Sequence, residues 1–159
     1  MKKTIVLIFV ILLTAIGFYV FNKMGGFNEV QLEVVEDVNI DLVGRKFKGI
    51  PQDEKLTKAF QEIESIKNNN PGAALYTIYY SEPAGKLDTM EVFVGLDSKW
   101  IGDTTGFETI SFSNENAIVA TIKAHRFVMP GPLKIKNKII VFAKENSLPE
   151  PVVFIDQIV

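Results

Sequence analysis

The feature that most constrains this chain is its N-terminus. Between Lys3 and Lys23 the run TIVLIFVILLTAIGFYVFN holds 19 residues and no charge. At about 1.5 Å per residue such a run reaches roughly 28 Å, close to the thickness of a hydrocarbon core. It is apolar all round and lacks caps, which argues against one face of a buried core helix. Residues 1–24 therefore read as an N-terminal membrane anchor or an export signal. A cleaved signal has a shorter apolar region followed by a small-x-small site, whereas Thr14-Ala15-Ile16-Gly17 sits in the middle of the run. The expectation is an uncleaved single-pass anchor, with secretion after cleavage as the alternative. Lys2 and Lys3 precede the run, and only Lys23 follows it before Glu29, Glu33 and Glu36. The basic side is the N-terminal one, so the N-terminus is expected in the cytoplasm and the soluble domain outside it.

Beyond the anchor, 14 basic groups face 19 acidic ones, a net of −5. That balance argues against a nucleic-acid partner and for neutral or cationic ones. Absence of cysteine removes disulfides and thiolate metal sites. His125 is the sole histidine and lies between basic neighbours, so no histidine metal cluster is expected and the residue reads as structural or superficial. Neither GxSxG nor HExxH spacing occurs, and no catalytic residue or cofactor is assigned.

Gly25-Gly26 breaks any helix leaving the membrane, and residues 25–30 read as a short tether. QLEVVED and VNIDLVGRKFKG alternate apolar and polar, as half-buried strands do. In residues 53–72 the period changes: Leu56, Ala59, Phe60, Ile63 and Ile66 make one helical stripe that ends at Asn-Asn-Asn-Pro-Gly. AALYTIYY and TMEVFVGLD follow as strands joined through Pro83-Ala84-Gly85. FETISFS and AIVATIKAHRFVM then read as two strands, PLKIKNKIIVFAKENS as a helix with Pro132 in its first turn, and EPVVFIDQIV as a closing strand. This order predicts an α+β fold made of duplicated strand-helix-strand units, about 31–97 and 107–159. They would form an antiparallel curved sheet with two helices on one face, preceded by one transmembrane helix. The second copy runs to Val159 and is expected to lack a counterpart of the strand TMEVFVGLD. In that strand Met90, Val92, Val94 and Leu96 point one way, and Glu91, Phe93 and Gly95 the other.

The stretches VNIDLVGRKFKG, ALYTIYYSEPAGKLDTMEVFVGLD and AIVATIKAHRFVMPG, in this order, resemble the GyrI-like small-molecule-binding family, also described as the effector-binding domain of multidrug-responsive transcription activators. The resemblance covers residues 31–159. It implies two pseudo-symmetric units around a groove that takes lipophilic, often cationic, small molecules between aromatic walls and a glutamate. A few related members are hydrolases. The helix-turn-helix of the transcription factors is absent and an anchor stands in its place, so transcriptional activation is not carried over.

On this resemblance Glu91 is the polar anchor of a ligand site, with Phe93, Tyr76, Tyr80 and Trp100 as apolar walls. Tyr76 and Tyr80 share one strand face and Tyr79 takes the other. A desolvated carboxylate beside aromatic rings attracts an organic cation by Coulomb and cation–π attraction. The plain structural alternatives are a glutamate on a solvated face, strand tyrosines in the core, and a tryptophan covering the sheet. The functional expectation is a membrane-anchored, non-enzymatic small-molecule-binding domain. One alternative is a hydrolase with Glu91 as general base, which needs a carboxyl raised towards neutrality. Another is a protein-interaction module that uses an open sheet face.

Overall fold

A computed structural model describes residues 2–83, 85 and 87–159. Among the described residues three α-helices, α1 (Lys2–Lys23), α2 (Glu54–Asn68) and α3 (Pro132–Glu145), accompany five strands. These are β1 (Gln31–Gly49), β2 (Leu75–Ser81), β3 (Met90–Asp97), β4 (Glu108–Thr121) and β5 (Ile155–Ile158). The fold is α+β with an open antiparallel sheet of order β4-β1-β3-β2-β5. Two compact units divide the chain, one of residues 1–35 and 118–150, the other of 36–117 and 151–159. β1 and β4 each pass from one unit into the other.

Several expectations are corrected. QLEVVED and VNIDLVGRKFKG form one strand, β1, which absorbs the break between them at Asp37 with a positive φ of 54°. FETISFS and AIVAT likewise run as the single strand β4, and the chain leaves it before His125, so HRFVM is a turn. The closing strand is shorter than EPVVFIDQIV and comprises only Ile155–Ile158, the residues that pair with Leu75–Ile78 of β2. Ala84 and Lys86 of the expected β2–β3 connection lie outside the described residues.

In the second unit α2 follows its sequence pattern. The Asp53 side chain caps it by accepting from Lys55 N at 2.8 Å, and Asn70 Nδ2 donates to Ile66 O at its far end. The stripe of Leu56, Ala59, Phe60, Ile63 and Ile66 turns inward, and Ile63 is fully buried against Val43, Val94, Leu96 and Ile101. Phe47, Met90 and Val92 extend this core towards Leu56. Register explains why one face supplies it: Val43 pairs with Leu96, Phe47 with Val92, and Thr77 with Val94, so all point to the α2 side.

The opposite face is also filled. Phe93, Leu42 and Ile78 are buried there, with Ile110 and Phe112 from one edge strand and Ile155 from the other packed against them. The Phe93 ring lies along its own strand over glycine backbone. A Cβ at Gly95 would come within 2.7 Å of the ring, and one at Gly44 within 2.8 Å. Gly44 and Gly95 pair directly across β1 and β3, which leaves a floor flat enough for the ring.

The first unit holds α1, the first residues of β1, the last of β4, and α3. Helix α1 is exposed over Lys3–Lys23, with none of these side chains buried. It ends in a Schellman cap: Gly26 N donates to Phe21 O, Gly25 N donates to Asn22 O, and Gly25 takes a φ of 78°. Phe27 folds back to 4.9 Å from the Phe21 ring. The stretch read as a loose tether is held further by Asn28 Nδ2 donating to Lys123 O and by His125 N donating to Met24 O at 2.8 Å.

Candidate functional site

Strand β3 is the middle of the sheet, and its register decides which of the expected site residues meet. Glu91 lies opposite Lys48 on β1 and next to the bulge between Tyr79 and Ser81 on β2. Phe93 pairs with Ile78 and Lys46, and Tyr76 pairs with Gly95. Glu91, Phe93, Tyr76 and Tyr80 thus share the face opposite α2. Trp100 does not join them. It sits in a short 3-10 turn after β3 and packs against the Val43, Ile63 and Leu96 cluster on the α2 side.

Glu91 is an ion-paired carboxylate at the rim of this face, its side chain 23% exposed. Lys46 Nζ lies 2.7 Å from Oε1 and Lys48 Nζ 3.2 Å from Oε2. Hydrogen bonds from Lys46 and then Lys48 hold its carboxyl below the ordinary carboxylate range, and the Lys46 ammonium is pushed up in return. A general base working at neutral pH needs the opposite shift, so this geometry works against the hydrolytic alternative. Lys46 Nζ also stands 4.7 Å from the centroid of the Tyr80 ring, a cation–π contact. Carboxylate and aromatic ring therefore make one corner, and a cation fills it.

The three expected walls on this face differ in accessibility. Tyr80 is half exposed, whereas Phe93 is fully buried and forms part of the sheet's core. Tyr76 is partly buried, which raises its phenol pKa, and its hydroxyl accepts from Gln157 Nε2 at 2.9 Å. The face is thus closed at its centre by its own side chains and accessible at the Tyr80–Glu91 end.

Two grooves escaped the sequence reading. One, of about 370 Å³, runs between β1 and α2 beside Arg45, Lys48, Lys55, Lys58 and Glu62. Its charges are largely matched within the protein: Arg45 holds Glu62 through two bonds of 2.9 Å, and Lys58 approaches Glu54 at 3.9 Å. The Arg45 guanidinium keeps the Glu62 carboxyl low, donates to Gly106 O, and stacks 4.3 Å from the Phe107 ring centroid. The other groove, of about 610 Å³, lies in the first unit, with Leu32, Val141 and Phe142 as its apolar lining and Lys134 and Lys138 among its polar residues. Its signal in the sequence is the spacing of Lys134, Lys138 and Val141, which puts them on one helical stripe.

Among the described residues no three His, Cys, Asp or Glu side chains converge on a metal position. His125 serves its own turn: its Nδ1 accepts from Phe127 N at 3.4 Å. Compared with models of known protein families, with curated proteins and with solved structures, the chain has no significant match.

Proposed function

We infer that this chain is a single-pass, membrane-anchored, non-catalytic binding module that takes a lipophilic organic cation at the Tyr80–Glu91 corner. In this reading the N-terminus is cytoplasmic and the sheet domain extracytoplasmic. The bare apolar surface of α1 supports the membrane part, because water is a poor solvent for it and no protein covers it. The positions of Lys2 and Lys3 support the orientation. A duplication of residues 31–97 and 107–159, with both helices on one sheet face as in the GyrI-like family, belongs to the same proposal.

The observation that carries the ligand chemistry is the place of Lys46. Its ammonium sits against both the Glu91 carboxylate and the Tyr80 ring, as a ligand's cation would. An organic cation that enters the corner exchanges with this lysine, and it gains from an aromatic contact worth about 0.5–2 kcal/mol.

Titration calorimetry of the detergent-solubilised full chain with tetraphenylphosphonium tests the proposal. Glu91→Gln is expected to weaken binding about tenfold, equivalent to about 1.4 kcal/mol. Lys46→Met, which removes the ammonium between Glu91 and the Tyr80 ring and leaves Lys48 on the other carboxylate oxygen, is expected to tighten it. Equal affinity in the native protein and both variants would refute the site. Trp100 fluorescence is unsuited as the reporter because that ring packs on the α2 side. For the anchor, retention of the intact N-terminus in carbonate-washed membranes is the expected result, and a mature chain that starts beyond residue 17 would establish secretion instead.

A further inference from the structure

The first unit carries a basic, apolar-tipped loop fastened to the end of α1. The fastening is backbone to backbone. His125 N donates to Met24 O, and the Lys123 carbonyl lies so close to Gly25 that a Cβ there would meet it at 2.6 Å. Asn28 Nδ2 adds a bond to the same carbonyl. From this base the chain makes a tight turn, with Val128 N and Met129 N both donating to His125 O. The turn presents Phe127, 78% exposed, and Met129, 43% exposed, and Leu133 at the start of α3 is 69% exposed. Phe127 stands beside His125, ring centroids 5.2 Å apart, and beneath the Arg126 guanidinium at 5.5 Å.

Charge is distributed to match. Residues 118–144 contain six Lys or Arg and no Asp or Glu, in a chain of net charge −2. The whole first unit holds nine basic and four acidic residues, the second eight and fifteen.

We propose that the 123–133 loop is a second membrane contact, with Phe127, Met129 and Leu133 entering the interface of an anionic bilayer and Lys123, Arg126 and Lys134 meeting its lipid phosphates. The proposal rests on α1 spanning the membrane. If α1 spans, its uncharged run ends at Asn22 and Lys23 lies at the headgroups, with Tyr19 one turn inside and 5.8 Å from its ammonium. Met24 and Gly25 then lie in the headgroup region, and the loop bonded to them cannot be far from it. An exposed phenylalanine flanked by cations is a surface suited to that zone, where an apolar tip and phosphate-binding charges are both satisfied. Docking the loop restrains the tilt of the first unit, because two points of contact replace a single helical stalk.

Because the chain has no cysteine, single labelling sites are clean. Met129→Cys and, separately, Ile16→Cys are labelled with an environment-sensitive fluorophore in the full chain. Each is reconstituted in nanodiscs of phosphatidylcholine with or without phosphatidylglycerol, containing or lacking lipid quenchers placed near the headgroups, to read position 129, and within the acyl chains, to read position 16. The expected result is quenching at both sites in anionic discs, about twofold at position 129. At 129 it should fall in purely zwitterionic discs, in high salt and in the Phe127→Ser/Leu133→Ser variant, while at 16 it persists throughout. Quenching at 16 without quenching at 129 overturns the loop contact and leaves the spanning helix intact. Quenching at 129 that ignores lipid charge and salt overturns the phosphate part. No quenching at 16 overturns the membrane-spanning reading and the loop proposal with it.

Discussion

Phe93→Ala distinguishes a ring that builds the sheet from one that waits for a ligand. The ring is fully buried and rests on the backbones of Gly44 and Gly95, with Leu42 and Ile78 in the same cluster. Truncating a core phenylalanine costs about 3–5 kcal/mol, more where the surroundings cannot collapse into the void. Here the floor is paired strand backbone, which has little freedom to rise, so a cost near 4 kcal/mol is expected, about the middle of that range. With a urea slope of about 2 kcal/mol/M, the unfolding midpoint falls by about 2 M. Trp100, the sole tryptophan, packs on the other side of the same sheet and reports that transition. Gly95→Ala is the companion change: its Cβ would meet the Phe93 ring at 2.7 Å and Val43 O at 2.6 Å. Overpacking of this kind costs about 1–3 kcal/mol. Only the ring can be removed by mutation, so Gly95→Ala is expected to cost less in the Phe93→Ala background than alone, yet not nothing. A midpoint shift below about 0.5 M for Phe93→Ala, or strict additivity of the pair, would refute the placement of this ring in the core.

Arg45→Lys replaces a planar fork with a point charge that cannot serve both Glu62 oxygens, Gly106 O and the Phe107 face together. Since the pair is part-exposed, the expected loss is about 1 kcal/mol, read as a lower Tm by circular dichroism; no change would mean that solvent already screens the pair. For pH dependence, Glu91 and Glu62 both titrate below the ordinary glutamate value of 4.5 in the folded chain. A depressed folded pKa stabilises above the unfolded value and loses that contribution as pH falls through the folded one. Stability should therefore fall below about pH 4.5, and the Glu91→Gln/Glu62→Gln double variant should show a flatter acid limb in urea titrations.

The residues differ in how much they disclosed alone. The helical stripe Leu56, Ala59, Phe60, Ile63, Ile66 with its Asn-Asn-Asn-Pro-Gly stop was legible, because amphipathic period and breaker act within a single turn of chain. So was the alternation of β3. The joining of QLEVVED to VNIDLVGRKFKG was not: Asp37 takes a positive φ inside the strand, a conformation that the alternation of residue types does not signal. The separation of Trp100 from Glu91 was equally hidden, since only the folded turn after Asp97 carries the ring to the Val43, Ile63 and Leu96 cluster.

An uncharged apolar run ahead of an α+β domain, and Glu91, Phe93 and Gly95 on one strand face, follow from period and length alone. Tertiary structure decided what that face does. Register brought Lys46 and Lys48 to Glu91, and paired glycines let Phe93 lie flat and fill the centre. It also sorted the charges. A net of −5 outside the anchor conceals a basic unit around α1 and an acidic one around α2, because β1 and β4 carry distant stretches of chain into each.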